Sequence, residues 1–276
     1  MDAFRITCGE LGIDSRPWFA PETDLLDVPE LTEEDLLYRS YTRPEGKLLE
    51  RMLINDRCSH FYQYWQTGVH DMASSDFFCA KRHLPVIPST PCLPTDRSTL
   101  SQLAERLHGF PLVVKVLGSS HGVGVVRIDS YESLCSLADY LATLSVQVVV
   151  KQYIPHTYSA RFNVVGKRVI ESNVNYARDG EFRSNSGTGE RRQEVRDFPE
   201  EVQQIAVDAV HAYGVEMGGV DIIFDVEERP YITEVNFPCN FIMSQKLSGI
   251  DIARAMVQHL AAKAQTKTSG VDEASV

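Results

Sequence analysis

Two short segments, residues 219–223 (GVDII) and 232–236 (ITEVN), are typical of neighbouring β-strands because β-branched residues dominate both. Glu234 and Asn236 are two positions apart, so they point to the same face of a strand. If the Asp221 strand pairs beside them, three oxygen ligands converge, two of them anionic. Such hard donors suit Mg²⁺ that holds nucleotide phosphates. The alternative is a solvated sheet face, which the flanking apolar residues disfavour because they place these groups near a core.

A second polar feature lies upstream, where Lys115 is near the end of a predicted buried strand (residues 110–117, FPLVVKVL) and precedes the loop 118–124 (GSSHGVG). Residues 125–128 are predicted to be a strand as well, so the loop joins a hairpin. Backbone N–H groups free of bulky side chains can approach phosphate oxygens, and a lysine adds a point charge. The order differs from a P-loop, where the lysine follows the glycines, and from a dinucleotide fingerprint, where a helix follows. A simple tight turn is the alternative.

A third feature comprises Arg161, Arg183 and Asn185, the last two within a segment rich in Gly, Ser and Arg (residues 180–192). Small residues surround Arg183 and Asn185, which makes this segment an unlikely place for a core. On its own, an arginine in such a surface loop is usually solvated, and the segment alone says little about function.

The periodicity along the chain predicts an α+β protein with several hairpins and no simple doubly wound sheet. The N-terminal part is the least regular, and the proline-rich stretch 85–94 is predicted to be an extended connector at a domain boundary. Ser130 is predicted to cap a helix, and Pro199 to begin one that Gly214 ends. Further helices are predicted at 48–54, 61–65, 98–107 and 251–262, and strands at 35–41, 148–150, 161–165, 168–174, 219–224 and 230–235. The tail 266–276 is expected to fray.

Composition limits the class of protein. The chain has 276 residues, 43% of them hydrophobic, with 27 Lys and Arg against 38 Asp and Glu, so the net charge is 27 − 38 = −11. This acidity excludes the broad basic face of a nonspecific nucleic-acid-binding protein. No apolar run is long enough to cross a bilayer, and the N-terminus lacks signal-peptide features, so a cytoplasmic protein is expected. Six scattered cysteines predict reduced thiols.

Taken together and in this order, the three features resemble the ATP-grasp fold and, within it, the RimK-like ligases. The resemblance runs from about Leu112 to Leu260, more than half of the chain. The matching segments are residues 111–115, 121–126, 152–154, 161–166, 180–185, 218–222, 234–236 and 249–253.

The resemblance implies two α+β subdomains that clasp ATP. It also implies a role for each matching residue. Nucleotide contacts are implied for Lys115, Ser120, His121, Gly122, Gly124, the hinge residues Lys151, Gln152, Tyr153 and Ile154, and Arg183, Ser184 and Asn185. Asp221, Glu234 and Asn236 would hold one or two Mg²⁺ (or Mn²⁺) ions, and Arg161 and Arg183 would be the catalytic cations. Arg161 would face the carboxylate substrate or the acyl phosphate. Arg39 is a substrate candidate at the cleft edge, with a purely structural arginine as the equal alternative; for His121, a polar loop filler is the alternative.

The chain departs from the family pattern at three places. The region before the clasp is short. A lysine that commonly follows Asp near the start of the clasp has no counterpart in residues 71–76, where Lys81 is the nearest. At the hinge, Gln152 stands where the family usually has an acidic residue. Ser159 or Ala160 stands where another acidic residue is expected before Arg161. These changes bear on nucleotide affinity.

The expected activity is therefore that of an ATP-dependent carboxylate–amine ligase that forms an amide bond through an acyl phosphate. Alternatives are modification of a peptide or protein, by glutamate addition or macrocyclisation, and a nucleotide-binding sensor without turnover. Small-molecule acid and amine substrates and a homo-oligomer are expected; nucleic acid and membrane partners are not. The predicted division is a reduced N-terminal region (1–92), a phosphate-loop subdomain (93–154), a metal-site subdomain (155–265) and a flexible tail (266–276).

Overall fold

The described strands form two antiparallel sheets in a computed structural model that describes residues 2–24, 26–63, 72–118, 123–144, 146–178, 180–183 and 192–273. The small sheet has the order β1-β4-β2-β3, with β1 at Ser89–Thr90, β2 at Leu112–Val116, β3 at Val125–Ile128 and β4 at Val148–Gln152. The large sheet has the order β7-β6-β5-β8-β9, with β5 at Tyr158–Val165, β6 at Arg168–Tyr176, β7 at Gln193–Val195, β8 at Met217–Phe224 and β9 at Pro230–Asn236. The α+β prediction and both predicted hairpins are confirmed.

Helices pack against both sheets and against one another. Their bounds are Asp2–Glu10 (α1), Pro44–Leu53 (α2), Met72–Lys81 (α3), Arg97–Arg106 (α4), Tyr131–Ala142 (α5), Glu200–Ala212 (α6), Ile242–Ser248 (α7) and Ile252–Glu273 (α8), with a short 3-10 helix at Ala20–Glu22. The Ser130 hydroxyl accepts a hydrogen bond from the Ser133 N–H, which confirms the predicted cap of α5. Gly214 adopts a positive φ of 83° just after α6, as its predicted role at the end of that helix requires. None of the described helices is long and apolar enough to span a membrane.

Alternation along the strands separates a core face from a polar face in each sheet. In the large sheet, Ala160, Phe162, Val174 and Val220 point into a core that α6 covers. The opposite face carries Arg161, and with it Asp221 across the strand pair. In the small sheet, α4 and α5 cover one face. Helices α7 and α8 pack over the part of the large sheet's Arg161 face that lies near Val165 and Met217. The part around Arg161 and Asp221, and the face of the small sheet opposite α4 and α5, remain to form a site.

Two N-terminal expectations are wrong. Residues 35–41 form no strand; Leu36 makes one isolated bridge to Ser59, because no neighbouring strand offers a ladder. Residues 61–63 are not helical, and Tyr62 bridges Val215 instead; residues 64 and 65 lie outside the described residues. The chain from 2 to 63 packs onto the C-terminal part, where Phe4 joins the core cluster that includes α8 residues. The predicted domain limits stay predictions.

The C-terminal expectation of a frayed tail is also wrong for the described residues. Helix α8 continues to Glu273. The Lys267 ammonium donates hydrogen bonds to the carbonyls of Asp56 and Cys58, both at 2.8 Å. These tertiary contacts fasten a polar stretch that has no apolar periodicity of its own.

Candidate functional site

An ion pair joins β5 to β8 on the polar face of the large sheet. Arg161, Asp221 and Glu234 stand opposite one another on three adjacent strands. Arg161 Nε lies 2.6 Å from Asp221 Oδ1, and Nη2 lies 2.8 Å from Oδ2. This bidentate geometry is the strong form of a charge-assisted hydrogen bond. The structure thus brings the predicted catalytic arginine directly against the predicted metal ligand.

A β-bulge on β9 sets the direction of the acidic side chains. Asp221 pairs with Glu234, but the next residue, Ile222, pairs with Ile232, so Thr233 is the extra residue. The Thr233 hydroxyl donates to the Asp221 carbonyl at 3.0 Å. Bulges beside active sites commonly re-aim a side chain in this way.

Asn236 completes the predicted oxygen set. It pairs with Gly219, two residues before Asp221, and its amide nitrogen lies 3.4 Å from Asp221 Oδ2. The expectation that Glu234 and Asn236 share a face with Asp221 is confirmed. Their role as metal ligands stays a prediction.

Lys115 reaches this set from the other sheet. Its ammonium donates to Glu234 Oε2 at 2.7 Å across the cleft, and both side chains are about one-fifth exposed or less (20% and 14%). Since Arg161 already lies against Asp221, residues from all three sequence features meet here in space. In the loop that follows Lys115, Gly124 is described, with a φ of 74° and its carbonyl bonded to the Val116 N–H. Ser120, His121 and Gly122 lie outside the described residues.

The predicted hinge is partly engaged within the protein. The backbone N–H groups of Gln152 and Tyr153 donate to the Pro88 and Pro111 carbonyls. Ile154 is buried in a small cluster with Ile87 and Ile223. The predicted backbone contacts to adenine would therefore use other groups than these two N–H donors.

Arg183 lies beside the hinge. Its guanidinium pairs with Glu181 at 2.6 Å and stacks over Phe182, whose ring packs edge-on against Tyr153 at 6.3 Å. The hydrogen bond to Glu181 raises the pKa of Arg183 further above its usual value. Ser184 and Asn185 lie outside the described residues. The approach of Arg183 to phosphates stays a prediction.

Arg39 is buried, and its contacts favour the structural alternative. Its Nε lies 2.6 Å from Glu50 Oε2, and its Nη1 donates to the Tyr41 carbonyl. The Tyr62 hydroxyl donates to the same Glu50 oxygen. The guanidinium lies 5.9 Å from the centre of the ring of Phe237, the residue that follows β9.

Two site residues escaped sequence reasoning. A Cβ on Gly219 would lie 2.6 Å from Arg161 Nη1 and 2.9 Å from the Cys239 Cβ, so glycine makes room for the guanidinium. Burial raises the pKa of the Cys239 thiol to about 11, which keeps it neutral beside Arg161. The sequence shows glycine at both 218 and 219, but only the packing around Arg161 and Cys239 shows why residue 219 is a glycine.

The charges of the site fit a cation that is shared with phosphate. Burial raises the pKa of Asp221, and the neighbouring Arg161 opposes that rise. Across the described residues, no group of three or more histidine, cysteine, aspartate or glutamate side chains is arranged to hold a metal ion. The candidate set has two carboxylates and one amide, so a cation here would also need phosphate oxygens as ligands. That is the usual arrangement for Mg²⁺ bound with a nucleotide.

Comparisons with known proteins agree with this reading. A family model described as the RimK-like ATP-grasp domain matches residues 72–260. A probable alpha-L-glutamate ligase of Picosynechococcus sp. is 31% identical over 160 residues, which cover 57% of this chain and 52% of that relative. One of Pasteurella multocida is 33% identical over 157 residues, covering 56% and 50%. The matched segment thus spans about half the length of these curated relatives.

Solved structures match over nearly the whole chain. The crystal structure of D-cycloserine synthetase DcsG aligns with a TM-score of 0.72, at 14% identity, over 96% of this chain and 94% of that one. Macrocyclase MdnC from Microcystis aeruginosa MRC, bound with precursor peptide MdnA, aligns with a TM-score of 0.67, at 12% identity, over 95% of each chain. At these identities the likeness shows the fold.

Proposed function

Because the chain belongs to the RimK-like ATP-grasp family, we propose that it is an ATP-dependent carboxylate–amine ligase. The carrying observation is the meeting of Lys115 and Glu234 across the cleft, next to the Arg161–Asp221 pair. Two cations and two carboxylates converge at one point, with Lys115 from the small sheet and the other three from the large sheet. A nucleotide phosphate with its metal ion is a ligand that would satisfy both charge types at once.

Asp221, Glu234 and Asn236 would hold Mg²⁺, which neutralises phosphate charge when bound. Lys115 would turn from Glu234 to the phosphates and stabilise the charge that develops during transfer. A substrate carboxylate oxygen attacks the γ-phosphorus, and ADP leaves. Arg161 would orient the carboxylate and then the acyl phosphate. The amine next attacks the acyl carbon and loses a proton, and inorganic phosphate leaves with the C–O bond electrons.

A decisive test measures ADP release and hydroxamate formation with ATP, Mg²⁺, pooled carboxylates and hydroxylamine as a surrogate amine. Hydroxamate formation is the expected result, and it identifies the acid. Asp221→Asn should abolish it, while Lys167→Met, at the exposed β5–β6 turn, should not. ADP without hydroxamate would point to a kinase or a shielded intermediate. ATP binding without ADP, across broad substrate pools, would favour the nucleotide-binding sensor and overturn the proposal.

A peptide acceptor is the second candidate. It is supported by the alpha-L-glutamate ligase relatives and by neighbours bound to precursor peptides, such as MdnC. Mass spectrometry of candidate polypeptides incubated with ATP distinguishes the two: added amino acid residues, or loss of one water on ring closure, would identify a peptide substrate. We further propose that the protein acts in the cytosol as a homo-oligomer and binds one or two metal ions. Light scattering and metal titration test the last two points.

A further inference from the structure

A buried lysine is bonded to the β9 bulge next to the candidate metal ligands. The bulge takes Thr233 out of the strand register, and a bulged residue is left without its ladder partners. Lys151 Nζ donates a hydrogen bond to the Thr233 carbonyl at 3.0 Å. The Thr233 hydroxyl meanwhile donates to the Asp221 carbonyl. Both polar groups of the extra residue are therefore held by defined partners.

Lys151 is held in turn by Asp76. Lys151 belongs to β4 of the small sheet and Asp76 to α3, and they are 8% and 6% exposed. Lys151 Nζ lies 2.6 Å from Asp76 Oδ2, at an angle outside that of a hydrogen bond. A buried ammonium is costly unless it is paired. The Asp76 carboxylate thus compensates the charge of the Lys151 ammonium, which donates to the Thr233 carbonyl.

The two lysines of the small sheet act on consecutive residues of β9. Lys151 pairs with Val113, and Lys115 with Val149, so both lysines lie on the cleft face of the small sheet. One reaches the Thr233 carbonyl and the other the Glu234 carboxylate. Because side chains alternate with a period of two, loss of the bulge would turn Glu234 to the opposite, apolar face.

We propose that Lys151, held by Asp76, is a positioning residue that fixes the β9 bulge and so aims Glu234 beside Asp221 at the bound metal ion. The proposal rests on the proposed function, because it takes Glu234 to be a metal ligand. This role is new for both residues of the buried pair. The family resemblance implied hinge contacts for Lys151 and no role for Asp76. The alternative is that the Lys151–Asp76 pair only holds α3 against the sheets. In that case its loss would lower the stability of the fold and leave the metal affinity unchanged.

The test compares a double variant that removes both members of the buried ion pair with an exposed control. Asp76→Asn/Lys151→Met removes the bond to Thr233 and leaves neither charge buried without its partner, whereas Lys167→Met, on the β5–β6 turn, keeps that bond. Mn²⁺ binding in the presence of ADP is followed by electron paramagnetic resonance, and folding by thermal denaturation. We expect Mn²⁺ affinity to fall about tenfold or more in the double variant, the usual effect of losing an outer-shell partner. Lys167→Met should change it less than about twofold.

A folded double variant with wild-type Mn²⁺ affinity would overturn the proposal. If the double variant does not fold, Asp76→Asn/Lys151→Gln is used, which keeps polar groups in the buried place but ends one bond short of the Lys151 ammonium and so loses the bond to the Thr233 carbonyl; its Mn²⁺ affinity should fall by about three- to tenfold. Unchanged affinity there would equally overturn the proposal. Failure of the proposed function is distinguishable, because it would appear in the wild-type protein as an absence of ADP and hydroxamate formation, whatever the Mn²⁺ affinity of the variants.

Discussion

Lys115 Nζ, on β2 of the small sheet, lies 2.7 Å from Glu234 Oε2, on β9 of the large sheet. The residues are 119 positions apart in the chain, so the contact exists only when the two sheets face each other. Each side chain neutralises the other in a partly buried place. When a nucleotide phosphate and a metal ion bind, Lys115 can exchange the Glu234 carboxylate for the phosphate, and Glu234 can exchange the Lys115 ammonium for the metal ion. The pair thus marks the position where we expect the transferred phosphoryl group to lie.

Replacing Lys115 by Met should lower the rate of ADP formation by about 10²-fold or more, since one preorganised charge at a transition state contributes that order of rate. The measurement is ADP release at saturating ATP and Mg²⁺. Lys167→Met is the matched control, because that lysine is exposed on the β5–β6 turn. Turnover that survives in Lys115→Met, with the ATP KM unchanged, would contradict the assignment.

Gly219→Ala should displace Arg161, because the new Cβ would lie 2.6 Å from Arg161 Nη1. Misplacement of a substrate-orienting group by about 1 Å costs about 10²-fold in rate, so we expect a loss of about 10- to 100-fold. Gly9→Ala is the control: a Cβ there meets no atom within 4 Å, and the residue lies in α1. Equal kinetics of the two variants would show that Arg161 tolerates the shift.

The buried Arg39–Glu50 pair should contribute to stability and not to substrate binding. Arg39→Met leaves Glu50 buried without its cation, which should cost about 3–5 kcal/mol in the free energy of unfolding. Arg39→Met/Glu50→Gln should recover most of that loss, with the substrate KM unchanged. Urea denaturation and steady-state kinetics test both parts. A several-fold rise in the acid KM of the folded double variant would restore Arg39 as a substrate residue.

Stability should fall on mild acidification because of His60. Burial, assisted by nearby Lys263, lowers the pKa of His60 to about 4. The unfolded chain takes up a proton near pH 6.5 and the folded protein does not, so the stabilisation is complete above that pH and is lost as the pH falls toward 4. Between pH 7.5 and 5 this amounts to about 2 kcal/mol.

Urea denaturation of wild type and His60→Gln at these two pH values isolates the effect. His156, whose pKa burial also lowers, is present in both proteins and cancels in the difference. The substituted protein should lose about 2 kcal/mol less than wild type over the interval. An identical pH dependence would show that His60 takes up its proton in the folded state.

The sequence by itself determined most of the strands and helices after residue 97 and the residue types of the candidate site. Strand periodicity, the Ser130 cap and the Gly214 stop are local signals, and Glu234 and Asn236 share a face because side chains alternate along any strand. Only the tertiary structure decided which charges meet. The contacts of Lys115 with Glu234, Lys151 with Thr233 and Arg39 with Glu50 join segments distant in sequence, and no periodicity encodes them. The same holds for the Thr233 bulge and for α8 beyond residue 265, because the first depends on two neighbouring strands and the second on carbonyls that Lys267 reaches in another part of the chain.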